Sequence, residues 1–287
     1  MTQLSLPAPA KLNLFLHITG KREDGYHELQ TLFQFLDLAD QLDFTLRSDG
    51  QILLENQLHN VEQTDNLVWK AAKLLAPLRT DPSLGVSIQL QKNLPMGGGL
   101  GAGSSDAATT LLALNQLWKL GLSLDQLAGK GLQLGADVPV FVRGQTAWAE
   151  GIGEKLYTLQ IPESHYLLIH PGCHCNTGVF FSHPDLPRSS PEATAKEALQ
   201  NLGSNAFTAL ARELYPPVEA CFQWLQEQGQ QPWLTGTGAC VFTRLDHPEQ
   251  GQELLNRLPS SFKGHATQGW VVKGCQTSPA HQALGQI

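Results

Sequence analysis

Five glycines fall within the seven residues Gly97-Gly98-Gly99-Leu100-Gly101-Ala102-Gly103, and their flanks decide what the run can be. Before it, Val86, Ile88 and Leu90 alternate with other residues, the period of a half-buried strand. After it, Ala107, Ala108, Leu111, Leu112, Leu114 and Trp118 recur at helical spacing. Ser104 and Ser105 stand where a helix N-cap belongs. The stretch from Pro95 to Asp106 therefore reads as strand, glycine loop and helix start.

That order suits an anion. Glycine has no Cβ, so the backbone can approach a ligand closely and adopt positive φ. The first N–H groups of a helix lack partners and the helix dipole places partial positive charge there. A phosphate fits both features, and Ser104 and Ser105 can add hydroxyl donors or a magnesium ligand. The plainer reading is a tight turn with a serine cap. The Walker A pattern fails, because Ser104 rather than lysine follows Gly103. A dinucleotide fingerprint matches loosely as Gly97-x-Gly99-x-x-Ala102, but its acidic partner is wrong. The nearest acid in position, Asp125, sits in Ser123-Leu-Asp-Gln-Leu, which reads as another helix start rather than a strand end.

Bulk properties narrow the ligand. A chain of 287 residues with 41% hydrophobic and 16% charged residues is globular, as one large domain or two modest ones. A net charge of −7 and no basic patch argue against a nucleic-acid partner, so local groups must hold any anion. The five cysteines, an odd number, make no disulfide framework. Cys173-His174-Cys175 is too tightly spaced for a zinc knuckle and no second pair follows. A reduced, cytoplasmic setting is expected. The N-terminus shows no charged-then-apolar signal pattern, and no apolar stretch is long enough for a membrane span.

Along the chain, Leu12, Leu14, Leu16 and Ile18 alternate with Lys11, Asn13, Phe15 and His17. This is a strand, and spacing alone allows Lys11 and Asn13 a solvated edge. Gly25-Tyr26-His27 closes a polar turn, either a plain hairpin or a loop tip able to stack on and hydrogen-bond a planar base. Residues 29 to 56 read largely as strands, with Asp49-Gly50 a turn. Asp65-Asn66 and Ser123 announce amphipathic helices. Asp137 stands at an element junction, where an N-cap or Asx turn is the simple assignment. Gly144 to Leu159 reads as a hairpin turning at Gly151-Ile-Gly-Glu, and composition changes near residue 162. Beyond it lie a strand at Tyr166–His170 and a polar loop from Asn176 to Ser190 carrying Phe180 and Phe181. A second glycine signal follows at Leu234-Thr235-Gly236-Thr237-Gly238-Ala239, then a helix at Leu254-Leu255 and a closing strand at Trp270.

Pro9-Ala-Lys-Leu-Asn-Leu, Pro95-Met-Gly-Gly-Gly-Leu-Gly-Ala-Gly-Ser-Ser and Leu234-Thr-Gly-Thr-Gly-Ala together resemble the three motifs of the GHMP small-molecule kinases. Gly25-Tyr-His, Leu134-Gly-Ala-Asp-Val-Pro-Val-Phe and Pro184-Asp-Leu-Pro-Arg resemble the branch acting on 4-diphosphocytidyl-2-C-methyl-D-erythritol in the non-mevalonate isoprenoid route. The resemblance spans nearly the whole chain. It implies a two-domain α+β fold, residues 1–162 and 163–287, with ATP and acceptor in the cleft between them.

It also implies roles. Asp137 would be the general base toward the acceptor's 2-hydroxyl, with Lys11 beside it keeping it ionised and stabilising charge near the transferred phosphoryl. Pro95, Met96, Gly97, Gly98, Gly99, Leu100, Gly101, Ala102, Gly103, Ser104 and Ser105 would hold the ATP phosphates. Magnesium would be shared with substrate oxygens; its protein ligands are left open, with Ser105 a candidate. Asn13 would orient the methylerythritol end. Tyr26 and Phe181 would sandwich the cytosine, with His27 hydrogen-bonded to it, and Gly236, Thr237 and Gly238 would approach from the second domain. Two departures stand out: Asn205-Ala206-Phe207-Thr208 lacks the acids common there in the family, and Asp106 stands where some relatives carry Asn. A carboxylate at 106 would suit the helix dipole but repel phosphate if it pointed inward. Rival readings are another GHMP acceptor (mevalonate, homoserine or a sugar), a nucleotide sensor without turnover, and a dinucleotide oxidoreductase.

Overall fold

The computed structural model describes residues 2–56 and 61–285. Strands β1 (Gln3–Lys21) and β2 (His27–Arg47) form a long antiparallel pair. Next come β3 (Ile52–Leu54), α1 (Leu67–Leu75), β4 (Gly85–Gln91), α2 (Ala102–Leu117), α3 (Leu124–Gly131) and α4 (Val138–Arg143). A hairpin of β5 (Ala147–Glu150) and β6 (Lys155–Thr158) ends this half. The second half runs β7 (His165–His170), α5 (Thr177–Ser182), α6 (Ala195–Gln200), α7 (Thr208–Leu214), α8 (Pro216–Glu227), β8 (Trp233–Leu234), β9 (Val241–Leu245) and α9 (Pro248–Arg257). It closes with β10 (Ser261–Phe262), β11 (His265–Ala266), β12 (Gln268–Cys275) and α10 (Pro279–Leu284). The outer bounds of the two expected halves, 1 and 287, lie outside the described residues.

One sheet of 10 strands carries both halves, in the order β3-β4-β2-β12-β7-β9-β8 with β1, β5 and β6 off that path. The closing strand β12 is the seam. Gln268–Lys273 pair with β7, then Gly274 and Cys275 pair with Leu36 and Phe35 of β2. One core packs β1, β2, β4 and α1–α4 around Phe35, Phe44, Leu111 and Trp118. A second packs the other half around Phe180, Phe207, Phe222 and Val241, and takes Leu16 and Ile18 from β1. A third, with Leu12, Phe15, Tyr166 and Phe242, fills the space between.

Local chemistry explains most of the helix starts. Asn66 accepts from Val68 N at the head of α1, and Ser123 with Gln126 makes a reciprocal capping box on α3. Helix α2 is buried on nearly all sides, packed between α1, α4 and β1, which explains its alanines and small hydroxyls. The polar loop expected at Asn176–Ser190 is in part a helix: Asn176 accepts from Gly178 N and Val179 N and starts α5, which the proline-rich surroundings conceal. Strand β1 is irregular where it matters, with register breaks between Pro9 and Lys11 and between Asn13 and Phe15. Such breaks re-aim side chains, and the segment Lys11–Asn13 lies between them.

Candidate active site

The glycine loop joins β4 to α2, and glycine itself makes the turn into the helix. Gly101 occupies the N-cap position with φ 71°, so Ser104 and Ser105 lie inside the first turn and are not the cap. The left-handed geometry at Gly101 lets the helix begin at Ala102, earlier than a serine cap would allow. Ser104 faces the loop cavity, whereas Ser105 is fully buried, lines neither cavity and has a hydroxyl without a partner.

The loop interlocks with the second glycine turn. Ala239 N donates to Gly97 O and Cys240 N to Gly98 O, both at 3.1 Å, and Thr235 Oγ1 donates to Gly99 O at 3.2 Å. A side chain at Gly99 would strike the Thr235 carbonyl oxygen, so this position needs glycine for close approach as well as for its φ of 73°. The second glycine signal is thus a buttress of the first. Asn205 secures it from below, donating to Leu234 O and Gly236 O at 2.9 Å each.

Lys11 is buried, 3% exposed, and not on a solvated edge. Its Nζ donates to Asn13 Oδ1 at 2.5 Å and to Gly99 O at 3.1 Å, and stands 3.4 Å from Asp137 Oδ2. Asn13 is fixed in turn, its Nδ2 donating to Thr31 Oγ1 at 2.8 Å and its backbone N to Thr235 Oγ1 at 3.0 Å. Asp137 occupies the N-cap position of α4, yet its side chain caps nothing. The carboxylate is turned to Lys11 and one-third exposed, 33%. A carboxylate beside a buried ammonium, reachable from a cavity, can take a proton from a bound hydroxyl.

Two cavities meet at the loop. The larger, about 740 Å³, is lined by Lys11, Asn13, Tyr26, His27, Asp137 and Phe181, with Gly236 and Thr237 on the far wall. The smaller, about 350 Å³, is lined by Pro95 to Ser104 with Asn66 and Lys92. Gly97, Gly99 and Gly101 line both. At the outer end of the larger cavity, Tyr26 is 59% exposed, while His27 is buried as the first residue of β2. The His27 ring lies 4.8 Å from that of Phe181, and its Nε2 has no partner. Burial first, then the charges of Arg188 and Lys21, holds His27 below the usual histidine range and so neutral. Gly238, the third residue expected on the far wall, packs against Cys175 and does not line the cavity.

The GHMP kinases N terminal domain family matches residues 66–145 and the GHMP kinases C terminal family residues 182–264. The chain is 49% identical, over 100% of its length and 92% of the relative's, to a 4-diphosphocytidyl-2-C-methyl-D-erythritol kinase of Marinomonas sp. (strain MWYL1). A protein of the same name from Tolumonas auensis is 47% identical over 99% of this chain and 97% of its own. The chain belongs to the 4-diphosphocytidyl-2-C-methyl-D-erythritol kinase family. A crystal structure of a 4-(cytidine 5'-diphospho)-2C-methyl-D-erythritol kinase superposes with a TM-score of 0.78 at 31% identity, covering 95% of this chain and 100% of that one. The expected GHMP kinase fold is therefore the fold found.

In this small-molecule kinase, sequence reasoning missed the groups that hold the site from behind. Thr31, Thr235 and Asn205 are such groups, and Asn205 drew notice only for the acids absent beside it. A buried ion cluster was missed as well. Lys92 Nζ lies between Asp40 and Asp106, 2.8 Å from Asp106 Oδ2 and in contact with Asp40 Oδ2. Asp40 Oδ1 also accepts from Asn93 N at 2.6 Å and Leu94 N at 2.8 Å, which ties the approach to the glycine loop. Asp106 thus pairs with Lys92 through Oδ2, yet it also stands on the wall of the smaller cavity and its Oδ1 has no partner. Burial, reinforced by Asp40 and only partly offset by Lys92, pushes the Asp106 carboxyl up to about 7. Asp125, the acid of the dinucleotide reading, is on the surface paired with Arg143. Among the described residues no group of His, Cys, Asp and Glu could hold a metal ion, Cys173-His174-Cys175 included. Among them, too, no helix is long and apolar enough to cross a membrane.

Proposed function

We propose that this kinase transfers the γ-phosphoryl group of ATP to the 2-hydroxyl of 4-diphosphocytidyl-2-C-methyl-D-erythritol, giving the 2-phosphate and ADP. The observation that carries the reading is the meeting of the two cavities at Gly97, Gly99 and Gly101 with Lys11 and Asp137 at the junction. Nucleotide phosphates seated on the loop face the free N–H groups at the head of α2. An acceptor in the larger cavity brings its hydroxyl to Asp137, which accepts the proton as the oxygen attacks the γ-phosphorus and ADP leaves. Lys11, with its ammonium already held by Gly99 O and Asn13, meets the growing negative charge without having to move. Asn13 orients the hydroxyl-bearing end. Tyr26, Phe181 and the neutral His27 take the cytosine, with the unpartnered Nε2 of His27 available for a hydrogen bond. Magnesium fits as an ion carried on the ATP phosphates, whose charge it would neutralise. Ser104 is the hydroxyl on that cavity wall, whereas Ser105 is closed off from it.

The two lobes, 1–162 and 163–287, act as the walls of one cleft, and the five unpaired cysteines suit a cytoplasmic setting. The test is coupled ADP release with ATP, magnesium and the full acceptor, beside the same acceptor lacking its cytidine. Turnover with only the full acceptor is expected. ADP release that needs no acceptor cytidine would return the assignment to the mevalonate-type, homoserine or sugar kinases. ATP binding without acceptor-dependent release would instead revive the sensor reading.

A further inference from the structure

Arg188 contributes no atom to either cavity wall, yet its guanidinium serves four backbone carbonyls at one turn of chain. Nη2 donates to His183 O at 2.7 Å and Phe181 O at 3.0 Å, and Nη1 to Leu186 O at 3.2 Å and Pro184 O at 3.3 Å. These include carbonyls at the C-terminal end of α5, where intrahelical partners run out. A helix of six residues does not hold itself in water. Asn176 ties its first turn and Arg188 ties its last. Phe181 stands in that last turn, its ring 4.8 Å from His27 and 5.2 Å from Phe207. The same guanidinium, with Lys21, supplies the positive charge that disfavours a second proton on His27.

We propose that Arg188 is a positioning residue for the cytosine end of the acceptor: it fixes the turn that carries Phe181 against His27. Its charge has a lesser, second duty, adding to the burial that already disfavours a second proton on His27. This rests on the acceptor reading given above. The planar fork matters, because a lysine ammonium supplies the charge but cannot span four carbonyls in fixed directions. The two duties therefore separate by substitution.

The experiment measures steady-state kinetics of the wild type, Arg188→Ala and Arg188→Lys, with the histidine resonances followed by NMR against pH. Arg188→Ala is expected to raise the acceptor KM about tenfold, the scale of one or two lost charge-assisted hydrogen bonds. The ATP KM stays near the wild-type value, and His27 titrates at higher pH. Arg188→Lys is expected to restore the His27 titration but not the acceptor KM. An unchanged acceptor KM in Arg188→Ala overturns the inference alone, as does an equal loss toward ATP and acceptor, which marks a purely structural residue. Should Arg188→Ala not fold, Arg188→Lys decides, since a normal acceptor KM there removes the need for the fork. A wild type indifferent to the acceptor's cytidine overturns the reading beneath.

Discussion

Two lysines flank the glycine loop, and each meets carboxylate, but the two arrangements are built differently. Lys11 is buried and held by a carbonyl and an amide, while its carboxylate partner Asp137 stands off at 3.4 Å and is one-third exposed. Lys92 has its two carboxylates in direct contact, and Asp40 and Asp106 are almost wholly buried. The first pair is open on the side a substrate must use. In the second the acceptors of Asp40 are closed off by Lys92 and by backbone N–H groups at the entry to the loop, while Lys92 and Asp106 reach only the wall of the smaller cavity. The difference teaches that attraction alone does not mark a catalytic pair. What marks it is a carboxylate one-third exposed at the larger cavity, beside a cation whose other bonds are complete.

Substitutions at the three carboxylates put that contrast at risk. Asp137→Ala should lower kcat by about 10²–10⁴-fold, the usual worth of a positioned base, with ATP affinity nearly unchanged. Stopped-flow or steady-state rates beside nucleotide binding measure both. A variant that turns over normally would remove Asp137 from the chemistry and leave the two clusters equivalent. Asp40→Ala acts on stability instead. It leaves Lys92 with Asp106 alone and strands two backbone donors, and should cost about 3–5 kcal/mol in urea unfolding. A loss below about 1 kcal/mol would mean water reaches the cluster and the closed description is wrong.

Part of this contrast is readable from sequence, and the boundary follows the range of the interactions. Glycine run, flanking strand and helix, and the caps at Asn66 and Ser123 are encoded within a few residues, and all of them form. The motif resemblance marked Lys11 and Asp137, and the structure brings them together. Their physical setting was not legible. Lys11 looks like an edge lysine until the loop at Gly99, 88 positions away, closes over it. Thr235, which anchors Asn13, is 222 positions distant. The serine cap failed because Gly101 can adopt a backbone that makes a side-chain cap unnecessary. Asp106 reads as an acid at a helix start that would repel phosphate if it pointed inward, since nothing local reveals that Lys92 pairs with it.

The smallest effect separates the two clusters most finely. Asp106 keeps its proton well above an unfolded carboxylate, up to about 7, chiefly because burial penalises the charge. An unfolded aspartate titrates near ~3.9, so between these values the folded chain binds more protons than the unfolded one. Stability from this group is therefore full below the lower value and is lost as pH rises through the higher. Asn at this position cannot ionise, and groups outside the Asp40–Lys92 cluster titrate alike in both proteins. The wild type minus Asp106→Asn difference in unfolding free energy should fall with pH, by about 2–3 kcal/mol between pH 5 and 8. Urea titrations at those two values measure it. Parallel curves would show that Asp106 holds no extra proton. A difference that grows with pH would show it ionised in the fold and gaining from Lys92, as an ordinary salt bridge does. Either result would make the closed cluster electrostatically like the open one, and leave the exposure of the carboxylate as the distinction between them.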